Sequence, residues 1–262
     1  MNDAGAAIER TEAIVLRVAP FSETSHVVTW LTPSRGKIAT LVKGAQRPKS
    51  AFLGQYDLFY TCELLFYERD HGGLHIAREC APLKVREGFR TAWAATAVAS
   101  YACDLVQGAD LGGASARDLY GFLEEMLDWL PTAVVRPAAV FWFETQLLRI
   151  DGVQPRFDRC GRCGARHRDG AAASLAPNHD LLLCRPCAET DARAGSAVPV
   201  KADAMAILRA WSVALHPPDI RNTILTREQT LAFARLFGML LGTLLGVKTV
   251  NRSFALDAML PG

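Results

Sequence analysis

The first eighty residues are a series of short apolar, β-branched runs broken by turn-forming clusters. Residues 13–18 form one run and residues 26–31 the next, beyond a polar turn. Thr32-Pro33-Ser34-Arg35-Gly36 is a turn by composition, and residues 37–42 form a third run, so Arg35 and Lys37 flank a hairpin tip. Residues 44–54 read as a mobile loop. Residues 58–67 form an aromatic, Leu-rich strand, and His71-Gly72-Gly73 turns the chain into a fifth strand at 74–80. Five short strands with no helical crossover suggest a small antiparallel barrel or sandwich.

The period changes after Pro82. Phe89, Trp93, Val98, Tyr101 and Leu105 recur at helical spacing over residues 87–107, and Gly108 with Gly112-Gly113 ends that helix. Ser115 or Asp118 caps a second helix running to Pro131. Residues 132–150 are a third, with Pro137 in its first turn. Periodicity is lost over 151–200. Asp203 then opens a helix that Pro217-Pro218 stops, and Thr226 with Gln229 is a capping box before an apolar helix to Gly246. The expected class is therefore α+β: a β domain over 1–82, a helical domain over 83–262, and an insert over 155–200. Gly238, Gly242 and Gly246 recur every four residues; Arg235 and the length of this segment favour a close-packed core helix over a membrane span.

Half the 262 residues are apolar and about a fifth are charged, which excludes a disordered, collagen-like or coiled-coil chain. Nothing resembling a secretion signal opens the sequence, so a soluble cytoplasmic protein is expected. The net charge of +2 predicts no affinity for polyanions, but its distribution does. Arg35, Lys37, Lys43, Arg47 and Lys49 lie within fifteen residues that contain no acid, a local field on an otherwise neutral domain. Residues 43–50 look like the end of a phosphate-binding loop, yet Pro48 stands where an N–H is needed, so nucleotide binding is rejected. Several cations on a small β domain suit contact with a phosphate backbone instead. Trp30, Phe52, Tyr56, Phe59 and Tyr60 lie near in sequence; most of them read as core and one or two as stacking surfaces. His71 and His75 flank a Gly-Gly turn and read as a hairpin tip rather than a metal site.

Seven cysteines are present, an odd number that makes a poor disulfide framework. Cys62, Cys80 and Cys103 sit in apolar surroundings and read as buried hydrophobes. Cys160-Gly161-Arg162-Cys163 and Cys184-Arg185-Pro186-Cys187 are a pair of two-residue-gap motifs, twenty residues apart. Four thiolates at that spacing favour one structural zinc ion with no open position, which argues against metal catalysis. His167 and His179 lie within the insert as substitute ligands that four cysteines make unnecessary.

Taken in order, several stretches resemble the RecO family of bacterial recombination mediators. They are Thr11 to Leu16, Ser22-Glu23-Thr24-Ser25, Ser34-Arg35-Gly36-Lys37, Val42 to Ser50, the aromatic strand to Tyr67, the cysteine insert, and Lys248-Thr249-Val250-Asn251-Arg252-Ser253. The resemblance implies an OB-fold followed by a helical domain carrying a zinc-binding insert, and no catalysis. It implies binding to single- and double-stranded DNA and annealing of complementary strands coated by single-stranded DNA-binding protein. It also implies contact with that protein's acidic, apolar C-terminal tail, pairing with RecR, help in loading RecA, and association with the nucleoid. By position, Arg35, Lys37, Lys43, Arg47 and Lys49 would contact DNA, Lys248 and Arg252 would add a basic C-terminal segment, and the four cysteines would hold zinc. Two other classes stay open: a zinc-containing RNA- or protein-binding adaptor, and an enzyme with the insert as a lid.

Overall fold

A computed structural model describes residues 7–69, 73–109, 115–176, 178–190 and 197–259. His71 and Gly72 of the expected hairpin tip, and the Gly112-Gly113 pair, lie outside them. The chain divides into two compact units, one of Met1–Gln107 and Ser115–Thr132, the other of Gly108–Ala114 and Ala133–Gly262.

The first unit is built on a closed five-stranded barrel: β1 (Ile8–Ser22), β2 (Ser25–Thr32), β3 (Gly36–Val42), β4 (Thr61–Tyr67) and β5 (His75–Lys84). Neighbours run β1-β2-β3-β5-β4, and β4 closes back on β1. This is the order of a Greek-key OB-type barrel. β1–β2, β2–β3 and β4–β5 pair antiparallel, whereas β3 and β5 run parallel and share only Thr40↔His75 and Leu41↔Ile76. Alternate residues of β3 and β4 point inward, and Val15, Val28, Trp30, Val42, Leu64 and Phe66 fill the interior. The one polar atom of the central indole is satisfied: Trp30 Nε1 donates to Thr40 Oγ1 at 2.9 Å. Cys62 and Cys80 belong to this core, and Cys103 is buried on the next element, as expected of small hydrophobes.

Two helices complete this unit, α1 (Trp93–Gly108) and α2 (Ala116–Trp129). Ser115 caps α2 by accepting from the Asp118 N–H. Arg86, at φ 54 just before a short 3-10 turn, ties α2 to the barrel. Its guanidinium donates to the Phe59 carbonyl at 2.5 Å, to Thr61 Oγ1 at 3.1 Å and to Asp128 Oδ1 at 2.6 Å. Lys84 Nζ reaches Asp128 at 2.9 Å and Glu124 at 3.2 Å. Burial works to raise the Asp128 carboxyl, but the two cations outweigh it and hold the group below its ordinary range.

The second unit is organised on α3 (Pro137–Ile150), a helix buried on almost every face from Ala138 to Leu148. α5 (Ala202–Val213) and α6 (Arg227–Leu244) pack on it through Phe141, Trp211, Phe233 and Phe237, whose rings lie 5.0–6.3 Å apart. The Thr226–Gln229 capping box of α6 is formed in both directions. The glycine stripe of α6 does not behave as a packing face. Gly242 is exposed, and Gly246 follows the helix end at φ 63, where a left-handed residue terminates a helix. Among the described residues no helix is long and apolar enough to cross a membrane. The insert adds a small sheet ordered β7 (Leu182–Leu183), β6 (Ala173–Leu175), β8 (Val198–Val200) and one turn and a half of helix, α4 (Arg185–Thr190). A last short helix, α7 (Arg252–Asp257), packs on α3.

Candidate nucleic-acid interface and metal centre

The five cations grouped in sequence are separated by the length of β3. At about 3.3 Å per residue, that seven-residue strand puts Lys37 roughly 20 Å from Lys43, which opens the segment bearing Arg47 and Lys49. The two groups also differ electrostatically. Arg35 forms an ion pair with Glu68, lies 3.5 Å from Glu9, and sits 6.0 Å over the Phe66 ring. Its hydrogen bond to Glu68 raises its pKa and lowers that of the carboxylate. Lys37 Nζ donates to the Gln107 carbonyl at 3.0 Å. Both residues are exposed, but both are already engaged, which sets them apart from the other three.

Lys43, Arg47 and Lys49 are exposed, and none of the three has an ion pair among the described residues. They ride on a segment of successive turns: Arg47 N donates to Gly44 O, Ser50 N to Arg47 O, and Leu53 N to Ser50 O. Gly44 has φ 66, a left-handed backbone conformation that a residue with a Cβ would adopt only under strain. This loop is fastened to the β1–β2 turn. Gln46 N donates to Thr24 O at 3.1 Å and Gly44 N to Ser25 Oγ at 3.2 Å. His26 then bridges the Gln46 amide, 2.7 Å away, and the Tyr56 hydroxyl, 2.8 Å away. Burial pushes the Tyr56 phenol up to about 12, with a smaller push from Cys80, so its proton stays in place. The loop expected to be mobile is thus fastened to the β1–β2 turn at Gly44 and Gln46.

The aromatics near it in sequence are inward. Trp30 and Phe59 are buried, while Phe52, Tyr56 and Tyr60 pack partly buried against the barrel core. Sequence reasoning passed over Phe21, which is 60% exposed at the same end of the barrel. Its only signal was an aromatic between Pro20 and a Ser-Glu-Thr-Ser turn.

In the second unit Lys248 is exposed, but Arg252 is not available to a strand of DNA. Arg252 is 5% exposed; its Nε lies 2.6 Å from Oε1 of the fully buried Glu144, and another guanidinium nitrogen donates to the Ala234 carbonyl at 2.7 Å. The two residues expected as one basic edge part company because Arg252 opens a helix whose inner face meets α3. Near it, an open groove of about 890 Å³ is lined by Pro137, Leu225, Leu231, Ala234 and Leu256, with Arg227 and Asp257 as its exposed charges.

The four cysteines are brought together. Their sulfurs all lie within 4.8 Å of one another, and Cys163 Sγ is 3.8 Å from Cys184 Sγ. A tetrahedron with zinc–sulfur bonds of about 2.3 Å has edges of about 3.8 Å, so the donor set fits zinc. The first pair sits on a turn closed by Cys160 N to Ala165 O and Gly164 N to Cys160 O, with Gly164 at φ 72; Cys187 lies in α4. Without a cation the sulfurs cannot ionise together. Burial opposes ionisation of Cys160, yet nearby backbone N–H groups bring it down to about 6, while sharing a proton with Cys163 and Cys184 drives Cys187 up to about 12. Neither His167 nor His179 joins the cluster.

Comparison with known proteins agrees with this architecture. The family model described as Recombination protein O N terminal matches residues 7–86, and that described as Recombination protein O C terminal matches residues 90–227. Among similar proteins, the DNA repair protein RecO of Anaeromyxobacter sp. (strain Fw109-5) is 30% identical over 202 residues, 77% of this chain and 79% of the relative. That of Desulforudis audaxviator is 30% identical over 182 residues, 70% and 71% of the two chains. That of Anaeromyxobacter sp. (strain K) is 30% identical over 229 residues, 84% and 87%.

Proposed function

This chain belongs to the RecO family of DNA repair and recombination proteins, and on that premise we propose that it is a non-enzymatic mediator that grips DNA strands at one rim of its barrel and anneals them. The observation that carries this reading is the lip formed by Lys43, Arg47 and Lys49, three exposed cations without carboxylate partners among the described residues. Cations in that state release counterions from a phosphate backbone on contact, whereas those already paired must first give up a partner. Neutralising phosphates on single- and double-stranded DNA lowers the repulsion between two strands and raises their local concentration, so complementary bases find each other. Lys248 is a further exposed contact on the second unit.

The groove beside α7 suits the tail of the single-stranded DNA-binding protein: an acidic, apolar C-terminus would bury its side chains against Leu225, Leu231 and Leu256 and set its charge near Arg227. Recruitment through that tail would bring the mediator to coated strands, where with RecR it helps load RecA. Zinc held by Cys160, Cys163, Cys184 and Cys187 has no open coordination position in this scheme and braces the insert.

The test is the Lys43→Ala/Arg47→Ala/Lys49→Ala variant. Titration with single-stranded DNA across salt should show roughly tenfold or greater loss of affinity and a salt slope shallower by about 2, at about 0.7 per phosphate. Annealing of labelled complementary strands should slow in parallel. Unchanged affinity and slope would remove this surface from the reading. Faster association with RNA than with DNA of the same sequence would replace it with an RNA adaptor.

A further inference from the structure

We propose that Phe21 is a stacking platform for an unpaired base, and that this ring gives the cationic lip its preference for single strands. The inference rests on the nucleic-acid reading above and adds to it what the cations cannot supply, since phosphates are common to single strands and duplexes.

Strand pairing sets Phe21 apart from its neighbours. Along β1 and β2, Pro20 faces His26 and Ser22 faces Ser25, so Phe21 is an extra residue with no partner of its own. A bulge of this kind at a barrel rim breaks the in–out alternation and re-aims a side chain. Here it re-aims a phenyl ring into solvent. Phe21 is 60% exposed, and among the described residues it is the only aromatic on a barrel strand to be exposed. Leaving so much of a phenylalanine in water forgoes most of the stabilisation that burying it would give. Nothing in the barrel requires this, because the core is filled by Trp30, Phe66 and their neighbours.

The position of the bulge supplies the occupant. Thr24 and Ser25, on the turn that follows Phe21, accept hydrogen bonds from the backbone of Gln46 and Gly44, and His26 holds the Gln46 side chain. Ring and cationic loop are therefore fastened to the same turn. The rim carries Lys43, Arg47 and Lys49, and the adjoining turn has a single acid, Glu23. An apolar protein surface has no reason to seek such a rim. A nucleic-acid strand does: its phosphates satisfy Lys43, Arg47 and Lys49, and an unstacked base offers a flat apolar face to the ring. A duplex keeps its bases stacked on each other and offers only phosphates.

The test uses the full chain carrying Phe21→Ala or Phe21→Trp, with an end-labelled oligothymidylate and a blunt duplex of equal length as probes. Phe21→Ala should weaken oligothymidylate binding about tenfold, which is about 1.4 kcal/mol and within the range for one stacked base. Duplex affinity and the salt slope should stay at wild-type values, because no phosphate contact is lost. Phe21→Trp should restore single-strand affinity. The proposal is overturned if Phe21→Ala binds oligothymidylate as tightly as wild type, or if it weakens both probes equally. The lip variant separates the two readings. If Lys43→Ala/Arg47→Ala/Lys49→Ala binds both probes normally, the cation reading fails, while a tenfold loss in Phe21→Ala alone still upholds the ring. If the lip variant loses both probes and Phe21→Ala loses neither, the ring is dispensable and the cations suffice.

Discussion

Replacing Arg252 by Ala separates a structural role from a DNA-contacting one. Arg252 Nε sits 2.6 Å from Glu144 Oε1, with Glu144 completely buried and Arg252 5% exposed. The guanidinium also donates to the Ala234 carbonyl at 2.7 Å and lies 6.0 Å over the Phe141 ring. Truncation removes these contacts and leaves a carboxylate in the interior with its counter-charge gone. Breaking a buried pair from one side costs about 3–5 kcal/mol. At about 4 °C per kcal/mol for a unit of this size, the second unit should melt roughly 12–20 °C lower. Differential scanning calorimetry reads this directly. DNA affinity measured well below the transition should be unchanged. Glu144→Met/Arg252→Met, which removes both charges and fills the space, should recover most of the lost stability and can exceed wild type. A Glu144→Ala variant should fall as far as Arg252→Ala, and the double-mutant cycle should give a coupling of several kcal/mol. If Arg252→Ala melts normally and binds DNA weakly, the burial argument is wrong and the residue belongs to a basic surface.

Further expectations follow from the metal centre and from the α2 anchor. Chelation should dismantle the insert, because the cluster around the metal centre is small, Cys160, Ala176, Leu183 and Ala188 with Cys184 and Cys187 against it; loss of one zinc per chain by metal analysis should coincide with protease sensitivity within residues 155–200. Since thiols must lose their protons to bind the ion, zinc should be released progressively on acidification, and Cys163→Ser should lower the pH stability of the complex. Asp128 has a carboxyl held below its ordinary range, so it stabilises the fold at pH values above its unfolded pKa, and that contribution is lost as pH falls through the folded value. Asp128→Asn should therefore destabilise the first unit near neutrality, by about 1 kcal/mol given that its side chain is 43% exposed, and the difference from wild type should vanish in strong acid.

What can be read in the chain depends on how local each cause is. The four cysteines are legible because two-residue gaps and a short spacer specify their own geometry. The strands are legible from composition, and the α6 capping box from two side chains three residues apart. Barrel closure is not, since β3 and β5 meet across more than thirty residues and in a parallel sense that no hairpin signals. The cation cluster misleads for a related reason. Fifteen residues look compact on paper, yet seven of them are extended, and Arg35 finds Glu68 thirty-three positions further on. Arg252 and Glu144 are 108 positions apart, so a buried pair reads as a surface charge until the helices are packed. α7 and β8 are too short to leave a periodic trace.

The narrow seam between β3 and β5 has a consequence for how the barrel yields under load. Every other neighbouring pair of strands is stitched over seven registered positions, but this one is stitched over two. The sheet should therefore breathe there first, with amide protons of residues 38–41 and 75–77 exchanging ahead of those on β1 and β4. β3 runs straight into the segment bearing Lys43, Arg47 and Lys49, and that segment is tied to the β1–β2 turn, so when this hem opens the charged edge stays with β2 and parts from β5.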